Sequence, residues 1–106
     1  MSIDIDIDID IDEIIKALAH PVRRDMLHWL KDPEKYFVEQ EHPFEIGVCA
    51  GKFDQRTGLS QSTVSAHLAT LQRAGLVTSQ RVGQWNFFKR NEDTIQAFLR
   101  QIGDEL

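Results

Sequence analysis

Residues 57–77 read TGLSQSTVSAHLATLQRAGLV, and this stretch decides the fold. Counted from Val64, its apolar residues recur at i, i+4 and i+7, which is the spacing of a helix with one buried face. Ser60 is a favourable N-cap, and Gly75 suits the position just beyond the last helical residue. The pattern therefore predicts a helix over 61–74.

The opposite face of this helix consists of small or polar residues and ends in one base. Such a face can enter the major groove of DNA, because bulky side chains would hold a helix out. Gln and Ser can hydrogen-bond to base edges, Ala can meet a thymine methyl, and Arg can contact phosphate. The candidate DNA-contacting residues are Gln61, Ser62, Thr63, Ser65, Ala66, His67, Thr70 and Arg73. The alternative is a solvated helix face that happens to be small.

Three more helices are predicted before this one. The first covers 11–18, where apolar residues follow the helical period and Asp10 is placed as a cap. Pro21 suits the first turn of the second helix, since its missing N–H is not needed there. A polar loop is predicted over 34–43, and a third helix over 46–56.

The period changes after the central helix. The segments LVTSQRV and QWNFFKR are rich in β-branched and aromatic residues and lie on either side of a glycine, which predicts a β-hairpin. The candidate DNA-contacting residues at its tip are Arg81, Gly83 and Gln84. A basic tip can reach phosphates or a minor groove, and the alternative is a solvated turn. Trp85, Phe87 and Phe88 are predicted to be core residues rather than platforms for bases.

A last helix follows Asn91, which is placed as its cap, and no later segment of the sequence covers its apolar stripe. Together with the first helix it is predicted to form a dimer interface. The candidate dimerisation residues are Ile11, Ile14, Ile15, Ile95, Phe98, Leu99 and Ile102.

The element order predicts a mainly α fold with a small β-hairpin, that is, a dimeric winged helix-turn-helix (α-α-α-α-β-β-α). A length of 106 residues fits one small domain. We expect a DNA-binding and dimerisation domain over 10–106, preceded by an acidic Ile/Asp tail over 1–9.

The net charge of the chain is negative, but the charges are unevenly distributed along the sequence. The formal net charge is −5, but six of the 17 acidic residues lie at or before Glu13. Between Lys52 and Arg90 there are six bases and only one acid, Asp54. This basic segment is compatible with nucleic acid. No apolar run approaches a membrane span and no signal peptide is recognisable, so a cytoplasmic protein without a membrane partner is expected.

Residues 3–12 alternate Ile and Asp without a break. Asp is poor in strands, and its carboxylates repel DNA. Three interpretations remain: a mobile acidic tail, an ordered segment whose Ile side chains pack on the dimer, or a phosphate mimic that weakens non-specific DNA binding. We favour a tail that is mobile at its start and ordered toward Asp10.

Four blocks of the chain resemble the ArsR/SmtB family of bacterial winged-helix repressors. They are ALAHPVRRDMLHWL (17–30), GVCAGKF (47–53), GLSQSTVSAHLATLQRAGLV (58–77) and RVGQWNFFKR (81–90). The resemblance implies a homodimer built from the first and last helices, an inverted-repeat operator in double-stranded DNA, and release from that operator by an inducer.

The sequence departs from the family at its metal sites. The family's thiolate site has the form Glu-Leu-Cys-Val-Cys, and the matching run here is EIGVC, so Gly47 replaces the first thiol. The family's other site uses Asp and His ligands on the last helix, and 94–106 contains no His. One Cys is too few for a soft ion, so we expect no metal and no cofactor, with His42 and Cys49 as the alternative pair.

Cys49 admits three interpretations: a small core residue, a redox-sensing thiol near a helix N-terminus, or a nucleophile without a usable partner. The sequence thus favours a sequence-specific DNA-binding repressor whose inducer is unknown and is not a metal. The alternatives are a Cys49-based sensor of oxidants or electrophiles and a winged-helix protein-interaction module. No catalytic constellation indicates an enzyme.

Overall fold

Six α-helices and three short strands make up the described part of the chain. The structure is a computed structural model that describes residues 8–37 and 40–106. The helices are α1 (Ile11–Leu18), α2 (Pro21–Lys31), α3 (Pro33–Tyr36), α4 (Ala50–Thr57), α5 (Gln61–Arg73) and α6 (Glu92–Glu105). The strands are β1 (Val48–Cys49), β2 (Val77–Val82) and β3 (Trp85–Arg90), and a 3₁₀ turn covers Phe44–Ile46.

Local signals set most helix ends. The side chain of Asp10 accepts a hydrogen bond from the N–H of Glu13, and Ser60 and Asn91 cap α5 and α6 in the same way. Beyond α5, Gly75 has a φ of 83°, and the N–H of Leu76 donates to the carbonyl of Leu71. This backbone arrangement satisfies the last carbonyls of the helix and turns the chain into β2.

The strands form one antiparallel sheet in the order β1-β3-β2. The pairing of Val82 with Trp85 leaves Gly83 and Gln84 as a two-residue turn, and the φ of 62° at Gly83 lies in the left-handed region that favours glycine. The predicted hairpin is confirmed, and β1 is an additional strand on its far edge.

Two sequence predictions between α2 and α5 were wrong. The predicted loop 34–43 begins inside a one-turn helix that has Pro33 in its first turn. The predicted helix 46–56 begins only at Ala50, because Val48 and Cys49 pair with β3 instead. Gly47 permits this with a φ of 114°, and a Cβ there would lie 2.7 Å from the carbonyl oxygen of Phe88.

One core holds the elements together. Its fully buried side chains come from α1, α2, α4, α5 and all three strands. They include Ile14, Met26, Val48, Phe53, Val64, Leu68, Leu71, Val77 and Phe87. Phe87 and Phe88 are buried as predicted, but Trp85 is 47% exposed, so its placement in the core was wrong. Trp85 lies next to the hairpin turn, at the start of β3, and lines a cavity beside Cys49.

The predicted dimerisation residues separate into three groups by their exposure. Ile14 and Ile95 lie in the core of the single chain, so they have little surface to offer a partner, and their assignment is corrected. Ile15 and Leu99 are 47% and 54% exposed. The remaining three, Ile11, Phe98 and Ile102, are partly buried.

Half of the Ile/Asp ladder, residues 3–7, lies outside the described residues, which begin at Asp8. Ile9 is partly buried and packs against the core. Within the described residues, no helix is both long and apolar enough to cross a membrane.

Candidate nucleic-acid interface

Helix α5 is held in the protein by one face and presents the other to solvent. Val64, Leu68 and Leu71 are at most 1% exposed. The exposed residues among the predicted contacts are Gln61, Ser62, Thr63, Ser65, Ala66 and Arg73. The structure therefore places six of the eight predicted residues on one open helix surface, with the small ones in its N-terminal half.

Hydroxyl groups order the first turn of α5. Ser60 Oγ accepts from the N–H of Thr63 at 3.2 Å, and its hydroxyl donates to Thr63 Oγ1 at 2.9 Å. Ser62 Oγ lies 3.3 Å from Ser60 Oγ. Backbone N–H groups and hydroxyls at such a helix start suit a phosphate oxygen, and the adjacent side chains can then reach base edges.

Two of the residues predicted to contact DNA, Thr70 and His67, instead form hydrogen bonds within the protein. Thr70 is half-buried, and its hydroxyl donates to the carbonyl of Ala66 at 3.0 Å. His67 faces α2, where its Nδ1 lies 3.1 Å from Nη1 of Arg23 and its ring centroid lies 4.5 Å from that of His20. The assignment of His67 to the DNA-facing surface was therefore wrong.

The spacing of His67 could have revealed this placement. Val64, His67, Leu68 and Leu71 stand at i, i+3, i+4 and i+7, so the imidazole lies on the flank of the buried stripe. Burial of the ring lowers the pKa of His67 below 6.5, and the neighbouring His20 and Arg23 lower it further. Its partner was out of reach of sequence reasoning, because Arg23 is 44 residues away.

Arg73 sits at the C-terminal end of the exposed surface of α5. It lines a groove together with Lys16 of α1, Thr70, and three carboxylates at the start of α1: Asp10, Asp12 and Glu13. The one base predicted on the DNA-facing surface therefore shares its surroundings with the last acids of the Ile/Asp ladder.

The hairpin supplies the second predicted contact region. Arg81, Gly83 and Gln84 are all exposed at its tip, as predicted. Arg81 Nε donates to the carbonyl of Gly83 at 3.1 Å, which holds the guanidinium across the turn. Sequence reasoning missed a further link, in which Gln72 of α5 donates to Ser79 Oγ of β2 at 2.9 Å. This hydrogen bond ties the last turn of the helix to the hairpin.

Cys49 lies at the start of α4, where it is partly buried. Its N–H donates to Gln40 Oε1, and Gln40 Nε2 donates to the carbonyl of Gly47. A cavity of about 280 Å³ opens beside it. The lining residues are Gln40, Glu41, His42, Cys49, Gly51, Lys52, Gln55, Trp85 and Phe87.

The alternative metal pair, His42 and Cys49, gains no third ligand from the part of the chain that the structure describes. The ring of His42 packs against Phe87 with centroids 4.9 Å apart. Across residues 8–37 and 40–106, no group of three or more His, Cys, Asp or Glu side chains is arranged to hold an ion.

Comparison with known proteins identifies a family. A model of the bacterial regulatory protein arsR family matches residues 55–79, which include α5 and the turn before it. The HTH-type transcriptional regulator YbzH of Bacillus subtilis is 38% identical over 78% of this chain and 85% of its own length. The transcriptional activator HlyU of Vibrio cholerae is 30% identical over 84% of this chain and 70% of its own.

Solved structures share the fold. HlyU from Vibrio cholerae superposes with a TM-score of 0.59 at 26% identity, covering 86% of this chain and 88% of that one. A homodimeric winged helix-turn-helix DNA-binding domain from Mycobacterium bovis gives 0.62 at 24% identity, covering 90% and 79%. Because the arsR family model matches α5 and a regulator 38% identical matches over most of both chains, the chain belongs to the ArsR family of transcription regulators.

Proposed function

We propose that the chain is a homodimeric repressor that binds an inverted-repeat operator in double-stranded DNA and leaves it when an inducer binds. The observation that carries this proposal is the exposed surface of α5, which is small and polar where a helix enters a groove and is anchored from behind by three buried apolar residues. A rigidly held helix with such a surface can read base edges.

The residues divide into two roles. Gln61, Ser62, Ser65 and Ala66 would contact base edges, which gives sequence preference. Thr63, Arg73 and the hairpin residues Arg81, Gly83 and Gln84 would contact phosphate and sugar, which gives affinity without preference. Thr70 would join this second group by turning its hydroxyl from the carbonyl of Ala66 to a phosphate oxygen. His67 leaves the contact set, because its ring faces α2.

The proposed partner of the apolar surface is a second copy of the chain. Ile15 on α1 and Leu99 on α6 are large apolar side chains left about half exposed. The similar domain from Mycobacterium bovis is homodimeric. A two-fold dimer presents two copies of α5 related by symmetry, so its DNA site would be an inverted repeat.

The inducer is proposed to be something other than a metal ion, because Cys49 has no neighbouring thiolate to complete a soft-ion site. The second candidate is a repressor that senses oxidants or electrophiles through Cys49. The observation favouring it is the cavity beside this cysteine, which is lined by Trp85 and Phe87 and lies between the hairpin and α4. A modification there would act on the element that precedes the recognition helix.

A protein-interaction module is a weaker candidate, because it would call for an apolar or acidic surface on α5 rather than Gln, Ser and Arg side chains. We further propose that the chain is not an enzyme, in keeping with relatives named as transcription regulators. Its place of action would be the cytoplasm, where the DNA of a prokaryotic cell lies.

The test is titration of the purified chain into a duplex carrying the DNA upstream of its own coding region, at several salt concentrations. A repressor of this kind should bind that duplex at least about a thousand times more tightly than a scrambled duplex. Equal affinity for the two duplexes over the whole salt range would contradict the proposal that the chain recognises a specific site in this DNA.

A further inference from the structure

One guanidinium joins three helices behind the recognition surface. Arg23, in the first turn of α2, donates through Nε to the carbonyl of Ala17 at 2.7 Å and through Nη2 to that of Lys16 at 3.3 Å. Its Nη1 lies 3.1 Å from Nδ1 of His67. The last turn of α1 is thereby tied to the middle of α5.

The chemistry of the pair fixes the charge of the histidine. A guanidinium can only donate hydrogen bonds, so Nδ1 of His67 must accept and must carry no proton. His20 stands beside it with ring centroids 4.5 Å apart and an interplanar angle of 56°. The Nδ1 of His20 accepts from the N–H of Val22, so it too carries no proton. A proton on His67 would place a second cation against Arg23.

Ionisable groups are carried by each of the elements that pack most closely on α5, which are α1, α2, α4 and β2. From α2 the ring is faced by His20 and Arg23, both of which disfavour its protonated form. From α1, the side chains of Asp12, Glu13 and Lys16 line the groove beside Thr70 and Arg73, in the turns that follow His67. Helix α4 carries Lys52, Asp54 and Arg56, and strand β2 carries Arg81.

We propose that Arg23 and His67 form a pH-sensitive contact that positions the recognition helix relative to α1. At neutral pH the hydrogen bond holds α5 to the helix that carries the exposed Ile15. In acid, the protonated imidazole repels Arg23 and α5 loses this tether. The inference rests on the proposed function, because the tether matters only if α5 reads DNA in a dimer.

The sign of the pH dependence follows from the direction of the shift. The folded protein holds the pKa of His67 below the 6.5 of an unfolded chain, so the unfolded state binds the proton first. Its contribution to stability is therefore complete above pH 6.5 and is lost as the pH falls from 6.5 through the lower folded pKa. The same window should weaken DNA binding.

The experiment compares the wild type with His67→Asn between pH 8 and pH 5, at fixed salt. Asparagine offers Oδ1 where the imidazole offers Nδ1, and it does not titrate. His28→Asn is the matched control, because His28 contacts Tyr36 instead and lies outside the cluster. Two quantities are measured for each: affinity for the upstream duplex and the free energy of unfolding in urea.

Between pH 8 and pH 5, the DNA affinity of the wild type and of His28→Asn should fall about tenfold more than that of His67→Asn. This is the loss expected when a hydrogen bond to a charged group breaks. Their stability should fall with it. Arg23→Ala removes the contact from the other side, so its DNA affinity should be weak at every pH and should follow the shallower pH profile of His67→Asn.

Equal pH profiles of DNA affinity for the wild type and His67→Asn would overturn the proposal. If neither the wild type nor any variant binds the duplex at any pH, the proposed function fails. The unfolding data then test separately whether the contact between Arg23 and His67 depends on pH. In that case, equal pH slopes of stability for the two proteins would overturn the contact as well, whereas a steeper wild-type slope would support it.

Discussion

Helices α5 and α6 are 13 and 14 residues long, and both pack residues into the same core, yet they leave different surfaces outside. The outer surface of α5 carries Gln61, Ser62 and Ser65, whereas that of α6 carries Leu99, which is 54% exposed. Polar side chains remain hydrated until a polar groove replaces the water. An exposed Leu side chain, in contrast, is stabilised when an apolar surface covers it. The comparison teaches that the outer surface of a helix, rather than its buried stripe, indicates its partner.

The largest effect should come from Leu99→Glu. Leu99 is 54% exposed in the single chain, so the dimer can bury about half of its surface, which contributes about 0.75–1.5 kcal/mol. A two-fold interface loses the side chain twice, so we expect the dimer to weaken by about 1.5–3 kcal/mol. Sedimentation at micromolar concentration should then show a folded monomer with much reduced DNA affinity. Gln101→Glu adds the same charge to an exposed position of the same helix and should leave the dimer intact. A dimer unaffected by Leu99→Glu would remove α6 from the interface.

The outer surface of α5 is tested by Gln61→Ala and Ser62→Ala. Each should cost about 1–3 kcal/mol on the preferred duplex and little on a scrambled one, because a base-edge contact is lost. Gln96→Ala, on an exposed position of α6, is the control and should change neither affinity. Gel-shift or fluorescence titration on both duplexes separates the outcomes, and a uniform loss would reassign these residues to phosphate.

Arg73→Ala should weaken binding to every duplex by a similar factor. Removal of one phosphate contact lowers the slope of log affinity against log salt by about 0.9. Arg100→Ala removes a base from α6 and should leave that slope unchanged. If Arg73→Ala altered sequence preference, the assignment of Arg73 to phosphate would be wrong, because the C-terminal end of α5 would then contact bases too.

The smallest effect should come from Asp4, Asp6 and Asp8 changed together to Asn. Asp10, the N-cap of α1, lines one groove with Arg73, and a carboxylate near a phosphate backbone opposes DNA binding. Neutralisation of the three carboxylates should raise affinity for non-specific duplex at low salt, with a gain that fades as salt screens it over about 10 Å at 0.1 M. Asn keeps the Ile residues in place, so a lower melting temperature is not expected. Deletion of residues 2–8 that lowers it would instead assign the Ile side chains a structural role.

The sequence predicted α5 and its surroundings well because the signals there are local. Ser60, the apolar stripe and Gly75 are all within a few residues of the helix they define, and the observed end at Arg73 differs from the prediction by one residue. The hairpin was equally readable from its composition and its glycine.

The errors arose where distant segments meet. Cys49 lies in a strand because Val48 pairs with Phe88, and the sequence around position 49 carries no signal that predicts this distant partner. Ile14 and Ile95 continue helical stripes, but the way α1 and α6 lie on the core decides which members of each stripe are covered. His67 was misplaced for a third reason: polarity was given more weight than position on the helix.

The most direct test of the contrast between α5 and α6 is an amide NMR titration of the chain with its upstream duplex. Resonances of residues 61–66 and 81–84 should shift or broaden as DNA is added, whereas those of residues 98–102 should remain in the positions that they hold in the free dimer. Changes concentrated in residues 98–102, with 61–66 unmoved, would contradict the assignment of α5 to DNA and α6 to a second copy.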